Sequence, residues 1–136
     1  MILPLICAII YKETAIFAFI NSIIVCLCAG LLLSFLKTEN KKLYSRDGFV
    51  IVALCWIVLS LFGALPFLFS GVIPGFFDAF FESASGFTTT GASILENVEI
   101  LPKSILFWRS FTHWIGGMGV LVFLVALPFQ VVIIFI

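Results

Sequence analysis

Residues 76–84, Phe76-Phe77-Asp78-Ala79-Phe80-Phe81-Glu82-Ser83-Ala84, are apolar enough to enter a membrane and too few to cross one. A helix of about a dozen residues covers only about 18 Å. A bilayer core of about 30 Å needs about twenty residues, so such a helix must enter and turn back. The next stretch, Ser85-Gly86-Phe87-Thr88-Thr89-Thr90-Gly91-Ala92-Ser93, is small, hydroxyl-rich and uncharged. Irregular backbone at membrane depth is tolerated only where protein buries it or where it lines a water-filled path. The pair therefore reads as a re-entrant pore helix over 75–87 and an ion filter over 88–93.

That reading requires a membrane protein, and the composition supplies one. Of the 136 residues, 63% are hydrophobic and 10% charged, with a mean hydropathy of +1.32. An ordinary soluble domain carries about a quarter of its residues charged. The formal net charge is zero and the basic residues form no stripe, which argues against a nucleic-acid partner. Cys7, Cys26, Cys28 and Cys55 all fall inside apolar runs. Cys26 and Cys28 would point about 200° apart on a helix, so the four read as small packing or lipid-facing residues.

In chain order, residues 1–10 are apolar but short, and they read as the tail of an incomplete first helix. A polar break at Tyr11-Lys12-Glu13-Thr14 comes next, with Thr14 the expected N-cap of the second helix. Residues 15–35 form a run of spanning length, completing an N-terminal hairpin over 1–36. The polar loop 37–48 holds Lys37, Lys41, Lys42 and Arg46, and its basic character places it in the cytoplasm. A second span runs over 49–70, and Ser104 is the expected cap of a third over 104–128. Between 78 and 99 every charge is acidic: Asp78, Glu82, Glu96 and Glu99. That fits an outer face, where a negative vestibule would concentrate cations. The expected fold is thus an all-α membrane protein, the hairpin leading into one helix–pore loop–helix unit over 49–130.

A dehydrated cation needs oxygen ligands in place of its water, and backbone carbonyls provide them. Glycine permits the backbone angles that turn successive carbonyls one way. The carboxyl end of the preceding helix is the negative end of its dipole and favours a cation. No catalytic residue is expected. Ser110 and His113 lie three apart on one helix without an acidic orienter, and no Gly-x-Ser-x-Gly elbow is present, which disfavours an intramembrane hydrolase. Arg109 and His113 share a helix face; a snorkelling Arg109, or one meeting Glu82 or Glu99, is the simpler expectation. Gly116, Gly117 and Gly119 are read as allowing close packing against the pore helix. Asp78 and Glu82 share a face at i, i+4 and are read as hydrogen-bonding behind the filter.

The stretches Phe77-Asp78-Ala79-Phe80-Phe81-Glu82, Ser85 to Ser93, and Phe107-Trp108-Arg109-Ser110-Phe111-Thr112-His113-Trp114-Ile115-Gly116-Gly117-Met118-Gly119 resemble the TrkH branch of the Trk/Ktr/HKT potassium transporter superfamily. The resemblance covers nearly the whole chain. It implies four covalently linked repeats around one pore that takes K⁺ into bacteria across the plasma (inner) membrane as a multi-pass protein. It also implies an extra hairpin before the first repeat, and the chain matches that hairpin plus the first repeat. By position, the carbonyls of Thr89, Thr90, Gly91 and Ala92 would bind K⁺, while Ser93 stands where K⁺ channels carry a second glycine. K⁺ is the transported ion, and no cofactor is implied. The partners implied are membrane lipid, the three remaining repeats, a second copy in a homodimer, and a cytosolic nucleotide-binding regulatory subunit. The alternative is a truncated, non-conducting membrane fragment without activity of its own.

Overall fold

The computed structural model describes residues 1–35, 45–95 and 97–135, and among them all regular structure is α-helical. The elements are α1 (Ile2–Ile10), α2 (Ile16–Ser34), α3 (Ser45–Phe69), α4 (Phe76–Phe87) and α5 (Lys103–Phe135). Most of the basic stretch expected in the cytoplasm, residues 37–44, lies outside the described residues, as does Glu96. Ile16–Ser34 and Val50–Phe69 are each long and apolar enough to cross a membrane. The third span, expected to stop near 128, continues as helix to Phe135. Pro128 removes one backbone donor without ending the helix.

Helix α1 packs on α2 and α5, α2 on α3, and α4 lies against both α3 and α5. Ala8, Ala15, Phe19, Ala64, Phe67, Ile73, Ala79, Ile105 and Trp108 form one core that joins all five helices. Small residues let the axes approach, and long ones fill the space that remains. Polar groups within the core are mostly paired locally. Ser22, Ser60 and Thr112 donate back to the carbonyls of Ala18, Trp56 and Arg109 at 2.7, 2.8 and 2.7 Å. The indole of Trp108 donates to the Gly63 carbonyl at 3.0 Å, linking α5 to α3. In a medium without water each such bond spares a desolvation cost of roughly several kcal/mol.

Helix entry differs from expectation at two places. Thr14 does not cap α2. Ala15 holds that position in a right-handed helical conformation with no side-chain bond, whereas a capping side chain needs an extended backbone there. Nor does Ser104 cap α5, because the helix begins one residue earlier at Lys103. Glu13, from the turn between α1 and α2, caps it instead. Its Oε1 accepts from the Lys103 amide at 2.7 Å, and its Oε2 accepts from the Ser104 amide at 3.1 Å and from the Ser104 hydroxyl. Amides at a helix start have no partner within the helix, and one carboxylate satisfies two of them here.

Candidate functional site

The site is built at the carboxyl end of α4. Gly75 enters the helix in extended conformation (φ −78°, ψ 125°), and Asp78 sits in the first turn, where negative charge suits the dipole. Twelve residues later the helix closes in a two-bond turn. The Thr90 amide donates to Ser85 O at 3.0 Å and the Thr89 amide to Gly86 O at 3.1 Å. That pattern requires a left-handed residue between the last helical turn and the exit, a place glycine usually takes. Here it is Thr89, with φ +58°. A β-branched residue is strained in that conformation by about 1–3 kcal/mol, and such strain persists only where the surroundings impose it. Gly91 comes two residues on at φ +77°, with nothing within 4 Å of where a Cβ would stand. Two left-handed residues separated by one thus turn the backbone repeatedly over 88–92.

Side chains fasten this loop to the helix it leaves. Thr88 Oγ1 donates to Ala84 O at 2.7 Å and lies 2.8 Å from Thr90 Oγ1. Ser85 Oγ donates to Ala92 O at 2.6 Å. Of the four carbonyls singled out in the sequence, that of Ala92 therefore already holds a protein donor, and one lone pair of its oxygen remains. Thr88, Thr89, Thr90, Gly91 and Ala92 are all exposed.

Behind the loop lies Glu82, whose side chain is only 1% exposed. It accepts from Ser93 Oγ at 3.1 Å, from the Ile94 amide at 3.0 Å, and from Arg109 Nε at 2.6 Å. One carboxylate thus joins α4, the loop's exit and α5. Of the two partners the sequence offered Arg109, the structure selects Glu82. Asp78 has no share in this cluster: it is exposed, its carboxylate lying against Gly75. His113 Nδ1 lies 2.9 Å from Arg109 O, and Ser110 is exposed.

The glycines divide. A Cβ on Gly116 would stand 2.7 Å from the carbonyl carbon of Phe87 and closer still to its oxygen, so α5 runs directly against the last turn of α4. Gly119 faces Trp56 of α3 rather than α4, and Gly117 faces open space. A Cβ on Gly63 of α3 would meet the Phe87 ring at 2.5 Å. Helices α3 and α5 thus both press on α4 at the turn that launches the loop. Ser83 Oγ, buried beside Gly63, has no hydrogen-bond partner among the described residues.

A model of the TrkH family, cation transport proteins, matches residues 15–132. The chain belongs to the TrkH family. It is 48% identical over 130 residues to the Trk system potassium uptake protein TrkH of Salmonella typhimurium and 47% identical to that of Escherichia coli K12. In both cases 93% of this chain is covered and 27% of the relative. The crystal structure of the potassium transporter TrkH from Vibrio parahaemolyticus matches with a TM-score of 0.84 at 42% identity. That match again covers 93% of this chain and 27% of the other. The chain thus spans about a quarter of the length of these TrkH relatives.

Glu13 carries a pH prediction of its own. Burial pushes its carboxyl up, but hydrogen bonds from the Ser104 hydroxyl and the Ser104 and Lys103 amides, with the Lys103 charge, outweigh it. The net value lies below the ordinary 4.5. A carboxyl with a depressed folded value stabilises above its unfolded value, and the contribution is lost as pH falls through the folded one. Thermal stability in detergent should therefore fall as pH is lowered below the ordinary carboxylate range, more steeply in wild type than in Glu13→Gln. Superimposable pH profiles would show that the capping bonds do not form.

Proposed function

We propose that this chain supplies the N-terminal hairpin and first pore-loop unit of a bacterial potassium uptake protein. Helix α4 enters the membrane from outside and returns without crossing. The carbonyls of Thr89, Thr90 and Gly91, with the remaining lone pair of Ala92, replace water around K⁺ as it passes. The negative end of the α4 dipole favours the cation there, so the loop needs no charged side chain. The observation that carries this reading is the paired left-handed backbone at Thr89 and Gly91, immediately after a twelve-residue helix and fastened from behind by Glu82.

Topology follows the same reading. Loop 37–48 faces the cytoplasm and residues 96–103 face outside. Glu13 binding at Lys103 and Ser104 supports this, since it brings the α1–α2 turn to the same end as the 96–103 loop. The chain alone conducts nothing in this reading, because one loop cannot surround an ion. Phe76, Phe77 and Phe81 of α4 are exposed, Phe77 to 82%, and await the three remaining repeats or lipid. Transport rather than catalysis is the activity, with no cofactor. The assembled protein is a homodimer in the plasma membrane, regulated by a cytosolic nucleotide-binding subunit.

The test is Gly91→Ser in a chimera where this chain replaces the matching segment of the Escherichia coli relative, expressed in a strain lacking its own K⁺ importers. The site has room for a side chain, so any effect comes through the backbone, at about 1 kcal/mol or more for an L-residue at φ +77°. Discrimination of K⁺ over Na⁺ should fall about tenfold while membrane abundance holds. Gly30→Ser, on open helix surface in α2, is the control. Gly71 would serve poorly, since it shares a positive φ of +71°. Unchanged selectivity and affinity at normal abundance would remove the filter assignment.

A further inference from the structure

We propose that Glu13 is a positioning residue for the filter, acting through the start of α5; the inference rests on the filter reading above. Three observations carry it. First, Glu13 is delivered rigidly. Helix α1 closes in the same two-bond turn as α4: the Lys12 amide donates to Ile9 O at 3.2 Å and the Glu13 amide to Ala8 O at 3.1 Å. The left-handed position in that turn is Lys12, at φ +52°, so this turn too holds a side-chain-bearing residue where glycine is usual.

Second, the contact fixes α5 along its own axis. Two backbone amides and one hydroxyl at the helix start converge on a single carboxylate, and Lys103 Nζ lies 4.4 Å over the Tyr11 ring. Sliding α5 by a fraction of a turn would break these bonds together. Below them Ala8 and Phe19 pack in one core with Ile105 and Trp108, which resists tilting of the same helix end.

Third, the next turns of α5 carry the buttress of the loop. Arg109 lies five residues beyond Ser104, about 7.5 Å along the helix. Its Nε–Glu82 distance of 2.6 Å leaves no slack, and Glu82 in turn holds Ser93 and Ile94 at the loop's exit. The height of the α5 start thereby sets the height of Arg109, and Arg109 sets where Glu82 holds the loop. The hairpin thus acts on the pore unit as a gauge for its ion site, in addition to being a membrane anchor.

The experiment uses the same chimera and reads K⁺ uptake, Na⁺ competition and membrane abundance together. Glu13→Ala should raise the K⁺ concentration for half-maximal uptake about fivefold and weaken discrimination against Na⁺. Glu13→Gln keeps an acceptor for the amides and should fall between Ala and wild type. Ser104→Ala, which removes one donor of three, should change uptake by little more than about twofold. A merely structural brace would lower abundance and maximal rate while leaving half-saturation and discrimination as in wild type. That result in Glu13→Ala overturns the proposal. If Glu13→Ala fails to insert, Glu13→Gln decides by the same criteria. Gly91→Ser, run alongside, separates the failures. Altered selectivity there with wild-type behaviour in the Glu13 variants defeats only the positioning role. Wild-type behaviour in both defeats the filter reading itself.

Discussion

Glu82→Ala should cost about 3–5 kcal/mol of stability and abolish uptake by the chimera. The side chain is 1% exposed and serves three donors on two segments, the loop exit and α5. Removing it leaves the Arg109 guanidinium without its anion and the Ile94 amide without its acceptor. Losing one member of such a pair is costly because Arg109, 22% exposed, stays largely desolvated and uncompensated. The local consequence is specific: the exit of loop 88–93 loses its tie from Ser93 and Ile94 to α4, while the Ser85–Ala92 bond and the bonds at Thr88 to Thr90 remain. Glu82→Gln preserves shape and an acceptor but not charge, and should cost about 1.5–3 kcal/mol. The double variant Glu82→Gln, Arg109→Gln should be milder than the sum of the single ones, since neither group is then left as a lone charge. Thermal unfolding in detergent and K⁺ uptake normalised to abundance measure both effects. Wild-type stability with Glu82→Ala would mean that the ion pair does not form in the assembled protein.

Much of this arrangement is legible in the chain. Residues 15–35 and 49–70 are apolar runs of the length a bilayer core requires, and hydropathy alone finds α2 and α3. The shortness of α4 follows from Pro74-Gly75 before it and the hydroxyl-rich stretch after it. The i, i+4 spacing of Asp78 and Glu82 placed both behind the loop. Only the second is there, because Asp78 lies with Phe76 and Phe77 on the exposed start of α4 while Glu82 is covered by α5 and the loop exit.

The features that escaped the sequence are of two kinds. Glu13 lies about ninety positions from the helix it caps, and no local pattern reports a pairing across that distance. The residues that do show locally, Thr14 and Ser104, have capping chemistry but do not hold the cap positions, since α2 is capped at Ala15 and α5 already begins at Lys103. The second kind is conformational. Propensity expects glycine at the left-handed position of a closing turn, so Lys12 and Thr89 give no signal there. Both lie where the fold holds something else in place: a capping carboxylate in one case, the candidate ion loop in the other. Local rules fail where surrounding contacts over-determine the backbone.

Gly116→Ala should be the most disruptive single methyl in the chain. Its added carbon would meet the Phe87 carbonyl carbon at 2.7 Å, and the Phe87 Cα at 3.0 Å. These are backbone atoms in the last turn of α4, so no rotamer change can clear them. Either α5 withdraws, breaking the Trp108–Gly63 and Arg109–Glu82 bonds, or the end of α4 moves and takes Thr88 to Ala92 with it. Overpacking of this kind costs about 1–3 kcal/mol where side chains can yield, and more where they cannot. Gly86→Ala is a graded comparison: its Cβ would press on the Thr112 side chain, which can rotate at the expense of its bond to Arg109 O. Gly117→Ala meets nothing within 4 Å and should leave stability unchanged or raise it by up to about 1 kcal/mol through helix propensity. The expected order of stability is Gly117→Ala, then Gly86→Ala, then Gly116→Ala, with K⁺ uptake lost in the last. Thermal unfolding of the three variants in detergent tests it. Equal stabilities for Gly116→Ala and Gly117→Ala would show that α5 does not lie against the last turn of α4, and the support proposed for the loop would go with it.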